Sequence, residues 1–297
     1  MGSRRVATPP YYRVYTPNHP NVIFPSPIGT PRTYNANAPA HVNPMHENTF
    51  CNQAGAYDAV LCDIDGCLLD EAGGPLNLGH LAAVADHNAR AKADRDRPLV
   101  TVCTGRPQPF AECICRAIAN DLLPCVCENG AWVYDPSTNG YHLDPAITDE
   151  HVDAAAAFRR WCLDAYGPDR VSAQPGKTAS VSLYHPDPAF LETLKPALAE
   201  ACTANRWPFR ISGTWNYINC DLTHISKATG IAQFLKRTGL NPQRIAGIGD
   251  TKSDIAIAES VHWFGVPANR DPAIDRHAHH ISALDQIDAV IEMLGLL

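Results

Sequence analysis

The chain has 297 residues, of which 45% are apolar, so it can bury a substantial core in one large or two modest domains. Its formal net charge of -7 excludes the strongly basic surface that is typical of general nucleic-acid binding. The sequence has no run of about 18 apolar residues and no apolar signal segment near its start. We therefore expect no membrane span, no secretory signal and a cytoplasmic location.

Residues 1–55 differ in composition from the rest of the chain. Proline recurs throughout this segment at a density that is incompatible with a regular helix or a central strand. No acidic residue precedes Glu47, whereas arginine recurs, so the segment is positively charged. We expect an extended arm. The alternatives are an arm that contacts the acidic body or a second subunit, a targeting segment and a nucleic-acid tail, and the chain can be a monomer or a homodimer.

From residue 56 onwards, predicted strands and helices alternate. "YDAVLCDID" and "PLVTVCTGRP" are typical of buried strands, and "LNLGHLAAVADHNARAKA" and "FAECICRAIANDL" have helical spacing. "PCVCENGAWVYD" is strand-like around an Asn-Gly turn. The alternation resumes after residue 212 with "ISKATGIAQFLKRTGL", "RIAGIGD" and later elements. This order predicts an α/β fold, with a Rossmann-like parallel sheet built from residues 56–135 and 213–297.

Residues 136–212 have a different pattern. "ITDEHVDAAAAFRRWCLDAYG" and "PAFLETLKPALAEACTAN" are typical of helices, and the segments near them, such as "TASVSLY", alternate like half-exposed strands. Two helices with antiparallel-type strands predict a small α+β module inserted into the parallel domain.

The eleven cysteines do not form the short pattern of a disulfide framework. Two C-x-C pairs, Cys113 with Cys115 and Cys125 with Cys127, lack the C-x-x-C spacing that zinc sites more often use. We expect buried, reduced thiols, which fit a reducing compartment.

Polar residues follow three of the predicted core strands. They are Asp63 and Asp65, then Thr104, Gly105 and Arg106, then Asp250 and Asp254, while Lys227 begins a predicted helix. Ligands gather at the carboxyl ends of parallel strands, so we expect these groups around one crevice. Four carboxylates in one crevice need a cation, and a purely oxygen ligand set favours Mg²⁺. Mg²⁺ in turn prefers to share its ligands with a substrate phosphate.

Four segments together resemble the motifs of the haloacid dehalogenase superfamily of phosphohydrolases. They are "DIDGCL", "VCTGRP", "ISKATGI" and "GIGDTKSD", in that order. "TGRP", "ENGA" and the position of the insert resemble the subclass of Cof-type sugar phosphatases and sucrose-phosphate phosphatases. The resemblance implies that residues 136–212 form a cap that selects the substrate. It covers the chain from about Tyr57 to its end, so the arm lies outside it.

The resemblance also implies roles for single residues. Asp63 is the expected nucleophile that forms an aspartyl phosphate, and Asp65 the expected general acid and base. The expected metal ligands are the carboxylates of Asp63 and Asp250 and the backbone carbonyl of Asp65, with support from Asp254. Thr104 and Lys227 are expected to bind the phosphoryl group. Further contacts to phosphate or substrate are expected from Gly66, Gly105, Arg106 and Ser253.

Two residues depart from the pattern of the superfamily. Cys67 stands where threonine is usual, which removes a hydroxyl that commonly steadies the loop. Ser253 stands where this subclass usually has asparagine, so we expect a shorter reach towards phosphate. Because all four aspartates and the lysine are present, we expect these two departures to modify the activity and not to abolish it.

The expected function is Mg²⁺-dependent hydrolysis of a small phosphate monoester, such as a sugar phosphate or a phosphorylated hydroxy acid. The Pro-Gly turn in "QPGKTASVSLY" presents Lys177, which can face the leaving group or simply be solvated. The alternatives are a phosphomutase and a catalytically inactive binding module.

Overall fold

The computed structural model describes residues 50, 52, 54–70, 74–167, 170–214 and 216–297. The expected arm, residues 1–55, therefore lies almost entirely outside the described residues. The strands are β1 (Ala59–Cys62), β2 (Leu99–Val102), β3 (Cys125–Cys127), β4 (Trp132–Asp135), β5 (Gly140–Leu143), β6 (Ser172–Ala173), β7 (Val181–Tyr184), β8 (Phe209–Thr214), β9 (Tyr217–Leu222), β10 (Ile245–Ile248), β11 (Trp263–Val266) and β12 (His280–Ile281). The α-helices are α1 (Leu78–Asp94), α2 (Gln108–Ala117), α3 (Asp149–Tyr166), α4 (Pro188–Asn205), α5 (Lys227–Thr238), α6 (Ile255–Ala258) and α7 (Gln286–Leu294).

The central sheet is parallel, with the strand order β12-β11-β10-β1-β2. β1, an interior strand between β10 and β2, is buried along its whole length. Val60 and Cys62 pack into one apolar cluster, and Ala59 and Leu61 pack into the other. A strand that is apolar on both faces needs cover on both sides of the sheet. This arrangement confirms the predicted α/β fold with helices on both faces.

A short antiparallel sheet, β3-β4-β5, continues the core beyond β2. Cys103 forms a parallel bridge to Val126, so β3 adjoins the end of β2. The predicted Asn-Gly turn lies between β3 and β4, in a 3-10 segment from Glu128 to Gly130. In this turn Asn129 adopts a left-handed backbone conformation with φ of 52°.

The inserted module is an antiparallel sheet, β6-β7-β9-β8, that packs with α3 and α4. Its apolar core is separate from the two clusters of the parallel sheet. Phe158 of α3, Leu198 of α4 and the strand residues Leu183 and Ile218 are all buried in it. The described residues thus contain the expected α+β cap.

The predicted limits of this cap, residues 136 and 212, are wrong. Position 136 follows β4 inside the β4–β5 hairpin, whose sheet adjoins the core. Position 212 falls within β8, which pairs with β9 from Phe209↔Leu222 to Thr214↔Tyr217. The cap elements therefore run from α3 to the end of β9, because cross-strand hydrogen bonds hold β9 in the cap sheet.

The C-x-C cysteines are free thiols, and three of the four lie in the core. Cys115, Cys125 and Cys127 are buried, and Cys113 is exposed. The Sγ atoms of Cys125 and Cys127 lie 3.6 Å apart, and burial raises the pKa of the Cys125 thiol well above its usual value. The three buried cysteines behave as small apolar side chains, and the expectation of a buried thiol is wrong for Cys113.

Candidate active site

The sequence-predicted residues of three segments meet at the carboxyl edge of the parallel sheet. β1 pairs with both β2 and β10, so the residues that follow these strands lie side by side. Asp63 follows β1, Thr104 lies two residues beyond β2, and Asp250 lies two residues beyond β10. The parallel register therefore brings these three segments to one place, as the sequence indicates.

Lys227 reaches the same edge from the first position of α5. Ser226 caps the helix by accepting a hydrogen bond from the Thr229 amide. Gly230, one turn on, allows the helix to lie against the core: a Cβ atom there would come within 2.6 Å of the Gly130 backbone. This close approach positions the Lys227 side chain beside the end of β1.

The Lys227 ammonium is buried between two carboxylates. Its Nζ atom lies 3.0 Å from Asp63 Oδ2 and 2.6 Å from Asp254 Oδ1. Burial alone lowers the pKa of Lys227, but the charges of Asp254 and Asp63 outweigh burial and hold this pKa well above its usual value. Lys227 is therefore a permanent cation in the floor of the site.

Asp254 also stabilises the turn that carries Asp250. Its Oδ2 atom accepts hydrogen bonds from the amides of Asp250 and Thr251 and from the Thr251 hydroxyl, at 3.0–3.2 Å. With Lys227 on its other oxygen, Asp254 fixes both the lysine and the turn.

A cluster of three carboxylates at this edge of the sheet is suited to bind a metal ion. Carboxylate oxygens of Asp63, Asp250 and Asp254 all lie within 4.8 Å of one another. Among the described residues this is the one group of His, Cys, Asp and Glu side chains close enough to share an ion. Gly66, with φ of +79°, passes directly over Asp250, where a Cβ atom would lie 2.1 Å from Oδ2. A buried oxygen-only set of this kind fits Mg²⁺.

Asp63 itself is in a strongly charged environment. Its Oδ1 atom accepts a hydrogen bond of 2.8 Å from the Ile64 amide. Burial, and next the charge of Asp254, raise its pKa to about 7, against the lowering effect of Lys227. A dication beside Asp63 would favour its ionised form.

The carboxylate of Asp65 does not join this cluster. It forms a two-pronged pair with Arg106, with distances of 2.7 Å from Nε to Oδ2 and 2.5 Å from Nη2 to Oδ1. Asp65 lines the same cavity as Asp63, but its side chain pairs with Arg106, so the close carboxylate cluster in the described residues consists of Asp63, Asp250 and Asp254. The expected metal contact of the Asp65 backbone carbonyl remains a prediction. Arg106 contacts Asp65 and the rings of Phe110 and Tyr217 and also lines the cavity described below, and its expected contact with phosphate remains a prediction.

The other predicted residues lie around the site in different ways. Thr104 is fully buried, and its hydroxyl accepts a hydrogen bond from the Arg106 amide at 3.0 Å. Gly105 and Ser253 line the cavity described below. Ser253 is exposed and lies 2.9 Å from the Thr251 hydroxyl, so this structure shows it in contact with its own turn.

A cavity of about 730 Å³ opens between this edge and the cap. Asp63, Asp65 and Lys227 line its floor. Its walls on the cap side carry Gln174, Lys177, Glu192, Arg210, Tyr217, Asn219 and Asp221. The predicted residue Lys177 thus lies in the wall, where its Nζ atom donates to Ser182 Oγ at 2.5 Å. Its role in specificity remains a prediction.

Sequence reasoning missed two residues that join the core to the cap. The buried Glu128 carboxylate accepts hydrogen bonds from the amides of Thr178, Ala179 and Ser180 and from the Ser180 hydroxyl. Next to it, Asn129 donates from Nδ2 to Asp221 Oδ2 at 3.0 Å. The signal for both was "ENG", which indicated a turn and a subclass of the superfamily but no contact with the cap.

Both residues have positive φ, 49° for Glu128 and 52° for Asn129. Non-glycine residues rarely adopt this conformation, and such strain clusters at functional sites. Here the conformation aims two neighbouring side chains at the cap.

We expect Glu128→Ala to lower the free energy of unfolding by about 2–4 kcal/mol, because it leaves three backbone amides of the cap without their acceptor. Chemical denaturation measures this loss. Glu259→Ala, at an exposed position, is the control and should change stability by less than about 0.5 kcal/mol. Equal stability of the Glu128 and Glu259 variants would show that the contact is weak.

None of the helices in the described part of the chain is both long and apolar enough to cross a bilayer.

Solved structures share this architecture. A protein from Thermoplasma acidophilum matches with a TM-score of 0.61 and 15% identity, over 82% of this chain and 100% of its own. A haloacid dehalogenase-like hydrolase from Bacteroides thetaiotaomicron matches with a TM-score of 0.61 and 14% identity, over 81% and 99%. A protein from Plasmodium vivax, described as a HAD/COF-like hydrolase, matches with a TM-score of 0.62 and 18% identity, over 82% and 95%. At these identities the likeness concerns the fold.

A parallel sheet with an acidic carboxyl edge under an inserted α+β cap defines a class of capped α/β proteins. A sequence model of the haloacid dehalogenase-like hydrolases matches residues 60–160 and 177–294 of this chain. The chain belongs to this family, which confirms the predicted superfamily. No curated protein sequence matches it.

Proposed function

We propose that this protein is a Mg²⁺-dependent phosphatase of small phosphate monoesters, acting through an aspartyl phosphate on Asp63. The observation that carries the proposal is the Asp63–Lys227 pair at the floor of the cavity, 3.0 Å apart, with the buried carboxylates of Asp250 and Asp254 beside it. This floor offers a nucleophile, a fixed cation and an oxygen ligand set around one position.

In the first step, a carboxylate oxygen of Asp63 attacks phosphorus as the ester P–O bond breaks. Asp65 gives its proton to the departing alkoxide oxygen. Lys227 and Thr104 hold the phosphoryl oxygens while negative charge moves from the nucleophile to the leaving group. In the second step, Asp65 takes a proton from water, which attacks the same phosphorus and releases inorganic phosphate and the free Asp63 carboxylate.

Asp63, Asp250 and Asp254 would hold Mg²⁺, with the backbone carbonyl of Asp65. The bound ion would offset the charge of these carboxylates and of the phosphoryl oxygens. The residues of the chain perform the bond-making and proton-transfer steps.

Asp65 has to leave Arg106 before it can act as an acid. Burial alone lowers the pKa of Arg106, but the hydrogen bonds and charge of Asp65 outweigh burial and raise this pKa above its usual value. Because Arg106 also contacts the Tyr217 ring of the cap, movement of the cap can loosen this pair.

A panel of phosphate esters with Mg²⁺ tests the proposal. We expect hydrolysis of at least one sugar phosphate or phosphorylated hydroxy acid, and slower hydrolysis of p-nitrophenyl phosphate. Release of inorganic phosphate is the readout. A folded protein that hydrolyses no ester would be a binding module, and transfer of the phosphate to a second hydroxyl of the substrate would indicate a mutase.

Removal of the metal should act on both activity and stability. An excess of EDTA should abolish turnover and lower the melting temperature, because an ion that binds only the folded protein stabilises it by about 2.7 kcal/mol at a hundredfold excess over its dissociation constant. Calcium replacement provides a control for ionic strength and charge. Full activity in EDTA would contradict the assignment of Asp63, Asp250 and Asp254 as ligands.

A further inference from the structure

Asp221 is a buried carboxylate in the wall of the cavity. It lies on β9 of the cap, and its side chain is 6% exposed. Its Oδ2 atom accepts the hydrogen bond from Asn129. Its Oδ1 atom has no hydrogen-bond partner among the described residues. A buried acceptor without a donor costs about 1–3 kcal/mol, so a ligand group that reaches and donates to this oxygen from the cavity would stabilise the complex.

The surroundings of Asp221 determine which donor suits it. Arg210 Nη2 lies 3.9 Å from Asp221 Oδ2, the oxygen that also accepts from Asn129. Lys177 is close enough for the charge of Asp221 to raise its pKa, although burial, the largest effect, lowers that pKa overall. Lys177 donates to Ser182, which in turn donates to Asn219.

The cap side of the cavity is therefore balanced in charge. It has two cations, Lys177 and Arg210, and two carboxylates, Glu192 and Asp221. A carboxylate on the leaving group has no proton to donate to Asp221 and would be repelled by its charge. An ammonium group on the leaving group would be repelled by Lys177 and Arg210. A hydroxyl group can donate to Asp221 Oδ1 and accept from a neighbouring cation, so it satisfies both sides.

We propose that Asp221 is a specificity-determining residue that accepts a hydrogen bond from a hydroxyl of the leaving group. This inference rests on the proposed phosphatase function. It narrows the substrates to phosphate esters of uncharged, polyhydroxylated alcohols, in preference to phosphorylated hydroxy acids and amino alcohols. Asn129 positions Asp221 by occupying its other oxygen.

The test compares the wild-type protein and the Asp221→Asn variant on a set of different phosphate esters. The probes are glucose 6-phosphate, fructose 6-phosphate and glycerol 3-phosphate, compared with 2-phosphoglycolate, phospholactate, phosphoethanolamine and p-nitrophenyl phosphate. For the best hydroxylated ester we expect Asp221→Asn to lower kcat/KM by about 10- to 100-fold, the range for a hydrogen bond to a charged group. Turnover of p-nitrophenyl phosphate should change by less than about threefold, since its leaving group has no hydroxyl.

Monodeoxy analogues of that ester make the assignment specific. In the wild-type protein, removal of one particular hydroxyl should cost about as much as the substitution, and in Asp221→Asn the same removal should cost nothing further. Glu200→Gln is the matched control: it neutralises an exposed carboxylate of the cap helix α4 that does not line the cavity, and should leave the preference unchanged.

Three results would overturn the inference. They are an equal loss for every ester in Asp221→Asn, a wild-type preference for phosphorylated acids or phosphoethanolamine, and full turnover of every monodeoxy analogue. The last two need only the wild-type protein, so they decide the matter even if Asp221→Asn does not fold. Failure of the proposed function is distinct, because the wild-type protein would then hydrolyse no ester, including p-nitrophenyl phosphate.

Discussion

Asp63→Asn should abolish turnover of every phosphate ester. The substitution keeps the shape of the side chain but removes the attacking carboxylate, so no covalent intermediate can form. We expect kcat to fall by at least about 10⁴-fold, beyond the 10²–10⁴-fold that general acid–base catalysis typically contributes. Rapid quench with p-nitrophenyl phosphate should show no burst, and mass spectrometry should find no phosphate on the protein.

Asp65→Asn is the matched control, since it makes the same chemical change two residues away. An ester with a good leaving group needs little protonation, so its first step should partly survive in this variant. The second step still needs a base for water, so the phosphoenzyme should accumulate, with a burst and with phosphate on Asp63. Phosphate found on Asp65, or a normal burst from Asp63→Asn, would reverse the roles of the two acids.

Lys227→Met should destabilise the fold as well as stop catalysis. The substitution leaves Asp63 and Asp254 as buried carboxylates without their shared cation. Removing one partner of a buried ion pair typically lowers the free energy of unfolding by about 3–5 kcal/mol. Chemical denaturation in EDTA should show a loss of this size. Lys252→Met, which removes an exposed lysine paired with Asp271, should cost less than about 1 kcal/mol.

The loss in Lys227→Met should also depend on pH and on Mg²⁺. Without Lys227, the effect that lowers the Asp63 pKa is removed, so the folded-state pKa rises further above its unfolded value. Such a group favours the folded state when protonated, so stability should fall as pH rises from the unfolded pKa through the folded one. We expect a larger loss at pH 8 than at pH 5, and partial recovery with Mg²⁺. A loss that is independent of both would indicate a defect of packing.

Local patterns were sufficient for the architecture and for the floor of the site. β1 is predictable because an apolar strand buried on both faces appears as a continuous apolar run. Asp63, Thr104 and Asp250 are predictable as neighbours because parallel pairing places the ends of β1, β2 and β10 at one edge. Lys227 was placed by its motif, and its burial between two carboxylates required the structure.

Contacts between segments that are distant in the chain were beyond the reach of sequence patterns. Arg106 pairs with Asp65 across 41 positions, and Glu128 contacts residues about 50 positions away. Nothing local to these side chains indicates such partners, because the direction of a side chain from a turn depends on backbone angles that residue type alone does not impose. The left-handed conformation of Glu128 and Asn129 is the decisive feature, and neither is a glycine.

The sequence by itself determined the α/β class, the family and the acidic edge of the sheet, since periodicity and strand-end residues follow directly from the order of amino acids. Only the tertiary structure decided that Asp65 faces Arg106, that the cap extends to the end of β9, and that Asp221 has one oxygen without a partner among the described residues. Each of these depends on which surfaces pack together, and packing joins residues that are distant in the chain.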